Sequence, residues 1–304
     1  MIKTLIVGYG SIGKRHIRIL NEMGHDVYIV SRHLENNKKC YKTIELALTS
    51  QEFNYIVIAN KTFEHYETFN KINQSNFNGI LLIEKPIFSK FCNIQRPKFT
   101  TYIAYNLRFH PLIQETKSLI EHEQVLSINA YVGQYLPSWR PGTDYSKSYS
   151  AFASLGGGVI RDLSHELDYL SYLFGSWREL TAFCGKISDL KIQSEDYCQV
   201  MYNTENNIKI TLELNYLDRI VQRYYTIQTN NKTIKVDLIN NQININGNVI
   251  QYPKIDRDYT YLKQHEHILS NSEIPCTFEE GLKIIEMIEA IERSSKDRKW
   301  IKNE

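Results

Sequence analysis

The chain has 304 residues, with 36 Lys and Arg against 34 Asp and Glu, a formal net charge of +2, 42% hydrophobic and 23% charged residues. So even a balance gives no reason to expect nucleic acid or an anionic membrane as partner, and the composition is that of an ordinary globular protein. The length exceeds one comfortable core, so two domains sharing a cleft are expected.

In chain order, "MIKTLIVGYG" enters a strand directly, with no signal-peptide core or cleavage site, and no later apolar run approaches a membrane span. A cytoplasmic location is expected. The first hundred residues then alternate short apolar runs with helical patterns: "TLIVG", a helix over about 12–23, "DVYIV", "YIVIAN", a helix near 63–72, and "GILLIEKP". Buried strands interleaved with helices predict a parallel sheet with crossovers. Past residue 124 the texture changes to alternating segments with Asn-rich turns: "VLSINAYVGQY", "YCQVMYN", "IKITLELNY", "YYTIQTN", "KTIKVDLI" and "QININGNVI". These predict a mainly antiparallel sheet with one covered face. "TFEEGLKIIEMIEAIERSSK" closes the chain as an amphipathic helix, with Thr277 and Glu280 in capping-box spacing. The class is α/β, with domains at 1–115 and 116–304.

Cys40, Cys92, Cys184, Cys198 and Cys276 are scattered and odd in number, so they read as thiols and suggest neither a disulfide framework nor zinc. No metal is expected. The 21 tyrosines suit interfaces and polar ligands such as sugars.

Gly8, Gly10 and Gly13 form G-x-G-x-x-G between a strand and a helix, where glycine permits a tight turn and lets backbone approach a pyrophosphate. Ser11 and Ile12 belong to that turn. About 20 residues on, where an NAD site has an acidic residue, stand Ser31 and Arg32. Hydroxyl and guanidinium suit a 2′-phosphate, which favours NADP(H) and leaves NAD(H) as the alternative. Asn60, His65, Glu84 and Lys85 complete the expected cofactor contacts.

Glu84, Lys85 and Pro86 fall at the end of a buried parallel strand, the edge where open α/β sheets bind ligands. "GGGVIRDLSHELDYL", residues 156–170, reads as one helix with Leu163, Leu167, Leu170 and Phe174 on its core stripe. His165 points nearly opposite, flanked by Asp162 and Asp168. A solvated polar face is the bland interpretation; the triple glycine, which lets a helix start against another backbone or a ligand, favours a site. Upstream, "LPSWRPGTDYSKSYSAF" offers Arg140, Tyr145 and Tyr149 to a substrate, the arginine suiting a carboxylate or phosphate.

G-x-G-x-x-G, "EKP", "YNLRFHP" and "GGGVIRDLSHELDYL", in this order, resemble the glucose-fructose oxidoreductase, inositol dehydrogenase and MocA (Gfo/Idh/MocA) family across essentially the whole chain. The resemblance implies a Rossmann domain followed by an α/β domain with an open, mainly antiparallel sheet used for homo-oligomer contacts. It implies an NAD(P)-dependent sugar oxidoreductase of a bacterial surface-polysaccharide branch, acting on acidic or nucleotide-linked sugars. Carried over by position, Lys85 and His165 are catalytic; Asp162, one residue nearer His165 than the family pattern has it, is a further candidate. Arg108 and Asp168 join the substrate contacts. A cofactor-binding sensor without turnover, and an NAD-dependent glycosidase, are the alternatives.

Overall fold

The computed structural model describes residues 1–34, 38–91 and 94–303. The chain divides into two compact units, Met1–Phe109 with Arg257–Ile285, and His110–Asp256 with Glu286–Glu304. This differs from a single cut at 115/116: the first unit ends six residues earlier and takes back a later segment.

The first unit holds β1 (Lys3–Val7), β2 (Asp26–Val30), β3 (Cys40–Tyr41), β4 (Tyr55–Ile58), β5 (Ile80–Ile83) and β6 (Thr101–Ile103). They run parallel in the order 6-5-4-1-2-3, and Cys276–Thr277 adds an antiparallel strand beside β6. "YIVI" and "ILLI" lie inside this sheet, which is why they are apolar at every position. Helices α1 (Ser11–Glu22), α2 (Ile44–Ser50) and α3 (His65–Asn73) form the crossovers. Strand order reverses at β1, so the carboxyl ends of β1 and β4 flank the crevice where such sheets bind nucleotides. The returning segment contributes the helix Tyr259–Leu269, which packs on α1.

The second unit is built on β7 (Val125–Gly133), β8 (Trp177–Gly185), β9 (Tyr197–Thr204), β10 (Lys209–Asn215), β11 (Gln222–Thr229), β12 (Thr233–Asp237), β13 (Gln242–Ile245) and β14 (Asn248–Gln251). Their order is 14-13-12-11-7-10-9-8, with Ile301–Lys302 outside β8; every pairing is antiparallel except β7 with β10. Along β9, Cys198, Val200 and Tyr202 are buried while Gln199 and Met201 face out. Helices α4 (Pro111–Ile120), α5 (Val159–Asp162) and α6 (His165–Phe174) belong to this unit, and α5 packs on β9 and β10. Tyr225 of β11 meets the ring of Tyr169 from α6 and the hydroxyl of Thr116 from α4.

Cysteine pairing departs from the sequence expectation. Cys184 and Cys198 face each other across β8 and β9 and are joined as a disulfide, while Cys40 and Cys276 are buried free thiols. Fourteen residues separate the two, and only the strand register sets them opposite. Cys92 lies outside the described residues.

Glu166 of α6 is fully buried and its carboxylate lies 2.7 Å from Arg223 Nε on β11. Removing one member of a buried ion pair leaves the other charge poorly compensated and costs about 3–5 kcal/mol, whereas replacing both with apolar side chains costs far less. Arg223→Met should therefore lower the thermal midpoint by several degrees, and Glu166→Leu added to it should restore much of the loss. Calorimetry on the two variants checks this; a double variant less stable than the single one would contradict the pairing.

Candidate active site

In the first unit the nucleotide edge begins where β1 runs into Gly8. There φ is +117°, and a Cβ would stand 2.5 Å from the Ala59 carbonyl oxygen, so only glycine lets the turn lie against the end of β4. Gly13 approaches the Gly8 carbonyl as closely, seating α1 on the turn. Gly10 stands in the cap position without a side-chain cap. The N–H groups of Ser11, Ile12 and Gly13 are those a helix leaves without intrahelical partners, at its positive end, which suits a pyrophosphate.

Beyond β4, Asn60 donates from Nδ2 to Thr68 Oγ1 at 2.9 Å, and its buried Oδ1 has no hydrogen-bond partner among the described residues. That orphaned acceptor at the carboxyl edge fits a dinucleotide donor. His65 is buried and clasps the same edge: Nδ1 faces the carbonyls of Pro86 and Ile87 at 3.2 and 3.1 Å, and Nε2 faces that of Asn60 at 3.3 Å. Burial lowers its pKa. Ser31 is buried and accepts from the His33 N–H at 3.2 Å, and Arg32 is exposed, 3.7 Å from Glu64. Lys42, which the sequence did not single out, donates to the carbonyls of Arg32 and Leu34. Lys85 is half-buried, and its N–H donates to Glu84 Oε2 at 3.1 Å.

Arg108 has a structural employment in this unit. It is 2% exposed and donates to both Glu280 oxygens at 3.2 Å, while Glu280 accepts from the Thr277 N–H in the expected capping box. Its charge is thus met inside the protein, at the head of the closing helix Phe278–Asp297.

In the second unit two of the three consecutive glycines are explained by protein neighbours. Gly157 lies against the backbone of Tyr149 and Ser150, and Gly158, at φ +117°, lies against the Glu195 carboxylate. The expected single helix is two: α5 ends at Asp162, Leu163 leaves helical geometry, and α6 starts at His165. The apolar stripe is buried as expected, but the polar side is covered too. Asp162 and Asp168 are 8% and 1% exposed, and His165 is half-buried, so the solvated-face interpretation fails.

Asp162 accepts from the Tyr216 hydroxyl at 2.7 Å and is hydrogen-bonded to Tyr149, whose hydroxyl it pushes up, with burial adding to the effect. The Arg140 guanidinium lies 5.3 Å from the Tyr149 ring centre. Arg140 and Tyr145 also line a small pocket with Trp139 and Thr143. Asp162, Tyr149 and Arg140 therefore form one cluster. Among the described residues no group of three or more His, Cys, Asp or Glu side chains could hold a metal, and no helix is long and apolar enough to cross a membrane.

The model of the oxidoreductase family with NAD-binding Rossmann fold, GFO_IDH_MocA, matches residues 2–98, and that of the GFO/IDH/MocA C-terminal domain matches 113–235. The chain belongs to the Gfo/Idh/MocA family. As such it is an NAD-dependent oxidoreductase, with the Rossmann domain and mainly antiparallel second sheet described above. No curated protein sequence matches it.

Solved structures share the Gfo/Idh/MocA fold at low identity. An oxidoreductase from Agrobacterium radiobacter, in complex with NAD+, L-tartaric acid and magnesium, matches with TM-score 0.84 at 15% identity, over 99% of this chain and 98% of that one. The WlbA dehydrogenase from Bordetella pertussis, in complex with NADH and UDP-GlcNAcA, matches with TM-score 0.84 at 17% identity, over 100% and 98%. Levoglucosan dehydrogenase in complex with NADH and levoglucosan matches with TM-score 0.83 at 14%, over 100% and 99%.

Two residues of the second-unit cluster escaped the sequence. Tyr216 ends "LELNY" just past β10, where nothing local marks it as the donor to Asp162. Glu195 precedes β9; its carbonyl accepts from the Val159 N–H at 3.1 Å and its carboxylate from the Ile160 N–H at 3.3 Å, so it caps α5 twice. Burial pushes its carboxyl from 4.5 up to about 7. A carboxyl whose folded pKa is raised takes up a proton on folding, so stability falls as pH climbs from 4.5 through 7. The cost above that window is on the order of 3 kcal/mol. Glu195→Gln keeps the acceptor and removes the charge: its thermal midpoint should equal the wild type's near pH 4.5 and exceed it at pH 8. A gap that does not widen with pH would contradict this.

Proposed function

We propose that this protein reversibly transfers hydride between a nicotinamide dinucleotide and a secondary alcohol carbon of a sugar, an acidic or nucleotide-linked one of the kind built into surface polysaccharides. The observation that carries this reading is the shared carboxyl edge, where Asn60 and Lys85 follow adjacent parallel strands beside the glycine turn, clasped together by His65.

In this reading His165 takes the hydroxyl proton, Lys85 stabilises the developing alkoxide, and Asp162 positions the substrate. Imidazole suits the first task because its ordinary pKa lies near the operating pH. The nicotinamide, when bound, accepts or supplies the hydride. Arg140, Tyr145, Tyr149 and Asp168 hold the sugar, the guanidinium meeting a carboxylate or phosphate. The solved neighbour with UDP-GlcNAcA supports a nucleotide-linked substrate. Ser31 and Arg32 favour NADP(H) over NAD(H). The exposed face of the second sheet, with Phe183 and Met201, suits a second copy of the chain, in a cytoplasmic enzyme.

Following NADPH and NADH oxidation or formation with a panel of sugar acids and nucleotide sugars tests the activity. Lys85→Ala and His165→Ala should each lower kcat by roughly 10²–10⁴-fold, with cofactor affinity, read from nicotinamide fluorescence, nearly unchanged. Unaltered turnover in both variants would remove the assignment.

Arg32→Ala should raise KM for NADPH by about tenfold or more and leave KM for NADH where it was. Equal effects on the two cofactors would overturn the NADP(H) preference.

A further inference from the structure

Four side chains of the first unit, three from separate elements and one just past β5, line up behind Lys85. The Tyr55 hydroxyl on β4 lies 2.9 Å from His265 Nδ1 on the helix Tyr259–Leu269. His265 Nε2 lies 2.9 Å from His16 Nδ1 on α1, and His16 Nε2 lies 2.8 Å from Glu84 Oε1. Glu84 Oε2 accepts the Lys85 N–H at 3.1 Å. Tyr55, His16 and His265 are wholly enclosed, and Glu84 is 8% exposed.

Proton accounting fixes the sense of every bond. The enclosed Tyr55 hydroxyl has a single partner among the described residues, His265 Nδ1, so it donates there. Burial, then His16 and His25, hold His265 well below the usual imidazole range, so the ring is neutral and its one proton is on Nε2. That N–H donates to His16 Nδ1, which must then be a lone pair, so the His16 proton is on Nε2 and faces Glu84. A protonated Glu84, or a doubly protonated His16, would reverse the chain and leave the Tyr55 hydroxyl without an acceptor. Glu84 then accepts on both oxygens, from His16 and from the Lys85 backbone.

We infer that Tyr55, His265 and His16 are positioning residues: a one-way hydrogen-bond chain with locked tautomers that fixes the Glu84 carboxylate and, through it, the backbone that carries Lys85. The inference rests on the reading of Lys85 as the group that meets the reacting oxygen.

Two measurements on the full chain test it. In ¹⁵N-histidine NMR spectra, His16 and His265 should both be Nε2–H tautomers in the wild type, assigned by loss of signal in His16→Gln and His265→Gln. Either ring protonated on Nδ1 would overturn the chain whatever the enzyme does. In kinetics, His16→Leu breaks the chain, whereas His16→Gln can present an N–H to Glu84 and a carbonyl oxygen to His265, keeping the same sense. His16→Leu should lose roughly 10–100-fold in kcat with cofactor KM little changed, and His16→Gln should recover most of it.

A structural role alone would cripple both variants alike, and equal kcat losses in two folded variants would overturn the proposal. Should His16→Leu fail to fold, Tyr55→Phe, which deletes one O–H, takes its place; it should lower kcat by roughly tenfold and release the His265 tautomer preference, and an unchanged kcat would count against positioning. A wild-type chain that turns over no sugar would fail the functional reading, while the tautomers still decide the chain of bonds.

Discussion

A buried carboxylate has to be met on both oxygens, and at Glu84 one donor is remote in the chain and one adjacent: an imidazole on α1 and the N–H of the next residue. Since α1 is seated by the contact of Gly13 with Gly8, and Gly8 by its contact with the end of β4, one connected packing sets the phosphate turn and the start of the Lys85 segment. The clasp of His65 on Asn60, Pro86 and Ile87 closes the same circuit from α3. Rigid supports of this kind are what a hydride transfer needs, because a reacting atom misplaced by about 1 Å can cost a hundredfold in rate.

The second unit applies the same rule to a run of acidic residues around α5 and α6. Asp162 has tyrosine hydroxyls, Glu166 a guanidinium, and Asp196 the N–H groups of Ile187 and Ser188 with the Ser188 hydroxyl. Glu195 is supported by backbone amides, its own and that of Ile160. These amides and the nearby Arg161 charge do not offset the loss of water, and that is why its carboxyl moves toward neutrality. The glycine at 158 follows from this: the carboxylate occupies the space a side chain would need.

Local signals made the first unit legible. "TLIVG", "YIVIAN" and "GILLIEKP" are apolar throughout because both faces of a parallel sheet are covered, and G-x-G-x-x-G states its own turn. What the sequence could not give depends on partners remote in the chain. His16 and His265 are 249 residues apart, and nothing in either neighbourhood names the other. The periodicity of the helix Tyr259–Leu269 reveals an apolar side and leaves open which unit covers it. The i, i+3 spacing of Asp162, His165 and Asp168 likewise defines a face without saying whether water or protein lies over it, and it assumes a helix that Leu163 interrupts. Strand β8, "WRELTAFCG", escaped because it sits near the sheet edge with charges among its apolar residues; with it went the pairing of Cys184 and Cys198. Motif position alone marks Arg108, and a guanidinium buried against Glu280 looks the same in sequence as one awaiting a ligand.

The tyrosines change meaning once burial is known. Tyr55, Tyr105, Tyr169, Tyr202, Tyr216 and Tyr225 are among the largest fully enclosed side chains, so much of this residue's abundance serves the interior rather than a sugar surface. Two of them hold buried polar groups: Tyr55 meets His265, and Tyr216 donates to Asp162. A hydroxyl is suited to this because it is neutral. An arginine would cancel the charge of the carboxylate it holds and bring a desolvation cost of its own, whereas a phenol fixes the oxygen and leaves the negative charge in place. Within the second unit that distinction separates Glu166, paired with the Arg223 guanidinium, from Asp162, held by the Tyr216 hydroxyl.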